Sequence, residues 1–172
     1  TGINTCVLRW DGSNALTSLA SIDTRGLVQS LTVCDWPSIS SDGRYIAFLS
    51  SEPSLVTNKL NGDYHLYLRD ITAETTVLVN AATNAEGLSV GSVSPPCLSG
   101  NGRIVAFDSP DPALVPNDRN HFQDVFARDF DSGITELISV RDSAMPSLTA
   151  SGASIAGSAC ISSNGNWAAF ES

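Results

Sequence analysis

Oxygen-bearing side chains in one short segment are the residues best suited to chemistry in this sequence. Asp118, Asn120 and Asp124 lie two and six residues apart, and calcium takes about six to eight such oxygen ligands. The matching segment earlier in the chain carries Lys59, whose charge would repel a cation, so any calcium site is confined to this copy. The alternative is that Asp118 and Asn120 form Asx turns that hold the loop, which is the more common use of such residues.

A second set of charged residues recurs along the chain. Arg69 and Arg128 are each followed directly by an aspartate, and Arg9 precedes Arg69 by about one repeat. Trp10 stands where the aspartate is expected in this first copy. A repeated Arg-Asp pair is typical of structural contacts between neighbouring strands, and the tryptophan favours an interface, where aromatic residues are enriched.

Signals for catalysis are missing. The sequence has no G-x-S-x-G elbow, no phosphate-binding glycine loop and no sialidase-type turn, and neither histidine has a repeated serine–acid partner. The formal net charge of −9 argues against nucleic acid or an anionic membrane as a partner. No apolar run approaches the ~20 residues of a membrane span. We therefore predict that the protein is not an enzyme and has no certain cofactor.

The cysteines bear on the cellular compartment. None forms a C-x-x-C pair, which argues against zinc, and an even count in a lysine-poor chain suggests an oxidising environment. Disulfides and four buried thiols are the two interpretations, and the pairing is open. Cys97 and Cys160 occupy equivalent repeat positions. The four cysteines are Cys6, Cys34, Cys97 and Cys160.

The elements that must position these residues come from an internal repeat. Three similar segments, PSISSDGRYIAF, PCLSGNGRIVAF and ACISSNGNWAAF, begin at Pro37, Pro96 and Ala159, and their turn glycines lie 59 and 63 residues apart. The segments LVTNKLNGDYHLYLRD and LVPNDRNHFQDVFARD repeat with the same step of 59 residues. Self-similarity at a fixed period is typical of solenoids, propellers and arrays.

Each repeat is predicted to form four antiparallel strands, A to D. Asp-Gly and Asn-Gly between apolar runs are strong hairpin signals, because glycine and Asx residues tolerate positive φ. In strand B, Tyr45, Ala47 and Leu49 face one way, and Ile46 and Phe48 face the other, so the strand is covered on both faces. No stretch has helical periodicity. The fold class is therefore all-β, a β-propeller of ~60-residue four-stranded blades, and a series of β-sandwich domains is the rival.

These segments resemble the PD40 (WD40-like) repeats of TolB-like β-propellers, over nearly the whole chain and most weakly in its first 34 residues. The similarity lies in S-x-D-G-R-x-x-A-F-x-S and L-V-x-x-D-x-N-x-x-x-D-V-F-x-R-D. It implies a bacterial protein of the periplasm, the cell surface or the extracellular space. It does not imply one function, because such propellers serve many.

The order of strands predicts one continuous repeat domain with two complete blades and two complementary halves. Residues 1–34 hold strands C and D with a linker, 35–94 and 95–157 form blades, and 158–172 hold strands A and B. Exposed strand edges template pairing with another chain. The predicted assembly interface comprises Cys6, Val7, Leu8, Arg9, Trp10, Trp167, Ala168, Ala169 and Phe170.

Two functions follow from this organisation. The first is a secreted structural subunit whose half-blades complete each other head-to-tail, giving a ring or a filament. The second is a periplasmic or surface propeller module that binds a protein or glycan and is an excerpt of a longer chain. The two hypotheses differ in the predicted oligomeric state.

Overall fold

The computed structural model of this protein describes residues 5–27, 32–82, 86–87, 94–116, 118, 122–140, 152–157 and 160–172. Within these ranges the regular structure is β-strand, apart from one short 3-10 turn at Pro53–Leu55. This confirms the predicted all-β class. The strands are β1 (Leu8–Asp11), β2 (Leu16–Leu19), β3 (Cys34–Ile39), β4 (Tyr45–Ser50), β5 (His65–Asp70), β6 (Thr75–Leu78), β7 (Cys97–Leu98), β8 (Ile104–Ser109), β9 (Asp124–Asp129) and β10 (Ile134–Leu137).

The strands form two four-stranded sheets and one hairpin. The first sheet has the order β3-β4-β5-β6, the second has the order β7-β8-β9-β10, and β1 and β2 make the N-terminal hairpin. All pairs are antiparallel. Neighbours in each sheet follow chain order, as expected for the four strands A to D of a propeller blade.

A further pair of segments lies at the C-terminal side of the described chain. Ile155 bridges Glu171 and Ile161 bridges Ala168, both antiparallel. We call residues 155–157 and 160–171 the C-terminal strand pair. Its turn repeats the contacts of the two turns that precede β4 and β8, so it corresponds to strands A and B.

These three turns are built by the same hydrogen bonds. In the first, the Ser40 hydroxyl donates to Asp42 Oδ1 at 2.6 Å and accepts from the Tyr45 amide at 2.9 Å. Ser99 with Asn101, and Ser162 with Asn164, make the equivalent bonds. The glycine that follows each Asx residue has φ between +71° and +76°, which an L side chain rarely adopts.

The hairpin repeats the register of the two sheets and corrects the sequence alignment by one residue. Asp11 pairs with Leu16, just as Asp70 pairs with Thr75 and Asp129 with Ile134. The position of positive φ that closes each turn, Ala15, Glu74 and Gly133, also recurs every 59 residues. Asp11, and not Trp10, is therefore the counterpart of Asp70 and Asp129.

The corrected register changes which residues of β1 correspond to those of β5 and β9. Trp10 corresponds to Arg69 and Arg128, whereas the sequence had aligned Arg9 with these two arginines. Leu8 corresponds to Tyr67, the largest fully buried side chain of β5. The error arose because Leu8-Arg9 has the same residue types as Leu68-Arg69, which favours a shifted alignment, whereas the backbone pairing identifies each position independently of side-chain type.

The core consists of two apolar clusters on opposite faces of the first sheet. Tyr45, Ala47 and Leu49 pack with the cluster toward the second sheet, and Ile46 and Phe48 pack with the cluster toward the hairpin. This confirms the predicted alternation of strand B. Burial on both faces explains why the strand is apolar at five consecutive positions.

Close packing between neighbouring sheets depends on the turn glycines. A Cβ on Gly102 would lie 2.2 Å from the Tyr45 ring, and one on Gly165 would lie 2.7 Å from Ile104. Consecutive turns are also linked by backbone bonds, since the Ser41 amide donates to Gly100 O at 2.7 Å. The repeats are therefore stacked through their turns as well as through their apolar faces.

Candidate functional site

Each of the two four-stranded sheets contains the same ion pair, which links its strand B to its strand C. Arg44 Nη2 lies 2.6 Å from Asp70 Oδ2, and Arg103 Nη2 lies 2.5 Å from Asp129 Oδ2. The Arg44 hydrogen bond is the main cause that lowers the pKa of Asp70 to about 2. Sequence analysis missed these arginines, although SSDGR and SGNGR show one after each turn glycine.

The arginines that sequence analysis did select have a structural role. Arg69 Nη1 donates to Glu74 O at 2.8 Å and to Thr76 Oγ1 at 3.3 Å, and Arg128 Nη1 donates to Thr135 Oγ1 at 2.9 Å. Burial lowers the pKa of both guanidinium groups. Each arginine ties strand C to strand D within its own sheet.

The N-terminal hairpin presents a different surface at the same positions. Leu8 is 57% exposed and Trp10 is 69% exposed, whereas Tyr67 and Phe126, which correspond to Leu8, are fully buried. The Trp10 ring lies over Gly12, 3.1 Å from where a Cβ would be. Among the described residues, β1 pairs with β2 on one side and has no strand on the other.

Two residues, Val7 just before β1 and Arg9 within it, face inward and anchor the hairpin to the first sheet. Val7 is buried in the core cluster of that sheet, and its amide donates to Ser21 Oγ at 3.0 Å. Arg9 lies over Gly43, with Nε 3.4 Å from the position of a Cβ, and Arg9 Nη2 contacts Asp11 at 3.1 Å. Hydrogen bonds from Ser13, ahead of the charge of Arg9, lower the pKa of Asp11.

The C-terminal strand pair also exposes apolar side chains. Trp167 is 77% exposed and Phe170 is 37% exposed, although Phe48 and Phe107, which correspond to Phe170, are buried. Between this pair and the second sheet lies a groove of about 380 Å³. Its apolar lining includes Ile104, Ala127, Ile134, Ile138, Ile161, Ala168 and Phe170.

The predicted calcium ligands are only partly described. Asp118 and Asp124 are both buried, Asp124 Oδ1 accepts a hydrogen bond from Ser139 at 2.6 Å, and Asn120 lies outside the described residues. In the ranges given above, no three His, Cys, Asp or Glu side chains gather as a metal site would require. The calcium site stays a prediction.

The four cysteines are free thiols, so the predicted disulfides are not present. Cys34 Sγ lies 3.1 Å from the Ser50 hydroxyl, and Cys97 Sγ accepts a hydrogen bond from the Ile161 amide at 3.2 Å. A hydrogen bond with Cys97 and burial raise the pKa of Cys160. Cys97 on β7 and Cys160 in the C-terminal strand pair therefore lie side by side, as expected from their equivalent repeat positions.

One buried carboxyl has a raised pKa. Asp108 on β8 is nearly inaccessible to solvent, and burial raises its pKa to about 6. Gln123 Nε2 donates a hydrogen bond to Asp108 Oδ2. The carboxyl lies on the face of the second sheet directed toward the C-terminal strand pair.

Comparison with known proteins bears on the fold alone. No family model and no curated protein matches this chain. A solved structure from a study of two prolyl endopeptidases has a TM-score of 0.51 at 11% identity, over 91% of this chain and 21% of that one. This similarity concerns the fold alone.

Two further solved structures are TolB proteins. TolB from Acinetobacter baumannii has a TM-score of 0.46 at 17% identity, over 87% of this chain and 30% of that one. A putative TolB from Agrobacterium tumefaciens has a TM-score of 0.45 at 20% identity, over 94% and 48%. The chain thus spans less than half the length of each structure. Its sheets are consistent with a propeller-like module.

The described residues contain no helix with the length and apolar character needed to cross a bilayer.

Proposed function

We propose that this protein is a non-enzymatic β-propeller building block that assembles head-to-tail with copies of itself by completing split blades. The observation that carries the proposal is the exposure of apolar residues at positions that are buried in both complete sheets. Leu8 in the hairpin and Phe170 in the C-terminal strand pair are exposed, whereas Tyr67, Phe126 and Phe48 are buried. Burying such surface contributes about 25 cal/mol per Å².

The two open strand pairs are complementary in the order of their strands. The hairpin has the register of strands C and D, and the C-terminal strand pair has the turn of strands A and B. Strand B of one copy would pair with strand C of the next, which would satisfy the open backbone edges of both. The contact joins two different surfaces, so it repeats from copy to copy and gives a ring or a filament.

The proposal includes a place of action outside the cytoplasm. Its support is the resemblance to TolB-like repeats and the polar, lysine-poor composition with a net charge of −9. A ring of two copies would contain six blades, and a larger number would form an extracellular filament. The rotation between neighbouring copies decides between these outcomes.

The test is the oligomeric state of the chain and of one proline variant. Light scattering and negative-stain electron microscopy of the wild type are expected to reveal particles well above 18.0 kDa. Ala168→Pro removes an amide donor from strand B of the C-terminal pair and is expected to abolish assembly while both complete sheets remain folded. Circular dichroism checks the fold.

The matched control is Val105→Pro, at the equivalent position inside the second sheet. Val105 pairs with Arg128, and its side chain is fully buried. This variant is expected to unfold its sheet, at a cost of roughly 3 kcal/mol or more. A monomeric wild type at high concentration, or an Ala168→Pro variant that still assembles, would contradict the proposal.

A second candidate function is a recognition module within a longer propeller, which would bind a protein or glycan through its loops. It is favoured by one observation, that the chain spans only 21–48% of the solved structures that resemble it. Under this hypothesis the open strand pairs are covered by other parts of the longer chain. A folded monomer of 18.0 kDa that does not associate would favour it.

A further inference from the structure

We call the blade formed by the C-terminal strand pair of one copy and the hairpin of the next copy the composite blade. Its strands could pair in several registers, and the register of the two complete sheets selects one of them. We infer that β1 of one copy pairs with residues 167–172 of a second copy so that Asp11 lies opposite Trp167 and Leu8 opposite Phe170. This inference rests on the proposed head-to-tail assembly and adds the pairing, the side chains that fill the groove and the charges at the junction.

The register follows from the two complete sheets. The first residue of strand B lies opposite the last aspartate of strand C in both, as Tyr45 opposite Asp70 and Ile104 opposite Asp129. Trp167 takes the place of Tyr45 and Ile104, because its amide donates to the serine of the preceding turn in the same way. Asp11 takes the place of the two aspartates, so the same pairing sets Trp167 opposite Asp11.

Aromatic pairing supports this register. Phe48 lies opposite Tyr67 with ring centroids 5.9 Å apart, and Phe107 lies opposite Phe126 at 5.8 Å. The same position in the composite blade joins Phe170 to a leucine, Leu8. Directly opposed side chains that pack against each other are a main source of sheet stability, and the Phe170–Leu8 pair would be apolar like the two pairs that it corresponds to.

The groove beside the C-terminal strand pair is the site where the hairpin of the second copy would bind. Ile134 and Ile138 line this groove on the side of the second sheet. Leu8 and Trp10 lie on the hairpin face opposite Val7. In the complete sheets the equivalent face carries Tyr67 and Phe126, and each of them packs toward the strands that precede its own sheet in the chain. Leu8 and Trp10 would therefore enter the groove.

The charges at the junction differ from those within the complete sheets. Arg44 and Arg103 pair with the aspartate of strand C, but the corresponding residue of the third turn is Asn166. Asp11 already contacts Arg9 within its own copy. The composite blade therefore lacks the repeated ion pair, and a positive charge at position 166 would restore it.

The experiment measures the self-association constant of charge variants at position 166, by light scattering over a dilution series. Asn166→Arg is expected to lower the dissociation constant about two- to five-fold, the size of an exposed ion pair, and Asn166→Asp is expected to raise it by a similar factor. Both differences are expected to shrink in the Asp11→Asn background, because the partner charge is then missing.

Arg44→Asn is the matched control, because it removes the same ion pair in the first sheet and neither Arg44 nor Asp70 lines the groove. It is expected to lower stability to urea and to leave the association constant of the folded protein unchanged. Self-association that is the same for the wild type, Asn166→Arg and Asn166→Asp would overturn the register and leave the proposed assembly intact. A wild type that does not associate would overturn both.

A cross-link gives a second measurement of the register. Two variants are mixed, one with Leu8→Cys and one with Phe170→Cys, each with Cys6 and Cys160 replaced by serine, and glutathione disulfide is the oxidant. Directly opposed residues have Cβ atoms about 4.5–5.5 Å apart, so this pair is expected to link rapidly. If Ala168→Cys links to Leu8→Cys as fast as Phe170→Cys does, the inferred register is wrong.

Discussion

In the two four-stranded sheets, the large apolar side chains of strands B and C are buried. At the equivalent positions of the hairpin and the C-terminal strand pair, Leu8 and Phe170 are exposed to solvent. Phe48, Phe107 and Phe170 share one repeat position, yet only Phe170 is exposed. The local sequence of the three copies is nearly the same. Burial is therefore a property of the neighbouring strands, and the open pairs retain apolar residues at positions that neighbouring strands cover in the complete sheets.

Truncating an apolar side chain is expected to show the largest difference in stability loss between a complete sheet and the hairpin. Phe126→Ala removes a fully buried ring from the second sheet and should lower the free energy of unfolding by about 3–5 kcal/mol. Leu8→Ala, at the equivalent position of the hairpin, should change monomer stability by only about 0.5 kcal/mol and weaken self-association instead. Urea denaturation and light scattering measure the two effects, and equal losses of stability would remove the distinction.

A buried carboxyl in the second sheet is expected to give the next largest effect. The raised pKa of Asp108, about 6 against an ordinary value of 3.8, means that the folded chain retains this proton longer than the unfolded chain. The free energy of unfolding should therefore fall as pH rises from about 4 to about 6. Asp108→Asn should flatten this part of the pH profile, and an unchanged slope would contradict the assignment.

The turn glycines sharpen the comparison between packed and open turns. Gly102→Ala would set a methyl group 2.2 Å from the Tyr45 ring at a φ of +74°. Gly133→Ala has a similar φ, +71°, with nothing within 4 Å of the added atom. Both should lose about 1 kcal/mol from backbone strain, and Gly102→Ala should lose more in thermal melts. Equal losses would show that Tyr45 moves away freely.

The repeated ion pair is expected to contribute least. Arg44→Ala should reduce the free energy of unfolding only slightly, because the guanidinium is partly exposed and screened by salt. Since the pKa of Asp70 is lowered to about 2, the stabilisation is present above pH 4 and is lost as pH falls toward 2. An Arg44→Ala variant with the same acid unfolding curve as the wild type would argue against the pair.

Much of the fold could be predicted because its signals are local. Asp-Gly and Asn-Gly turns, alternation along strand B and a constant repeat identified strands A to D without any tertiary information. The alignment of the first copy failed by one residue, because Trp10 and Leu8 differ in type from Arg69 and Tyr67. Arg44 and Asp70 are 26 residues apart, so their contact depends on strand pairing that no local pattern encodes.

The sequence by itself determined the all-β class, the repeat and the turns, because these depend on backbone preferences and on the apolar pattern of each copy. The tertiary structure decided the register of the hairpin, the partners of Asp70 and Asp129, and which copies of one pattern are buried. These features depend on which strands become neighbours, and that is a property of the folded chain as a whole.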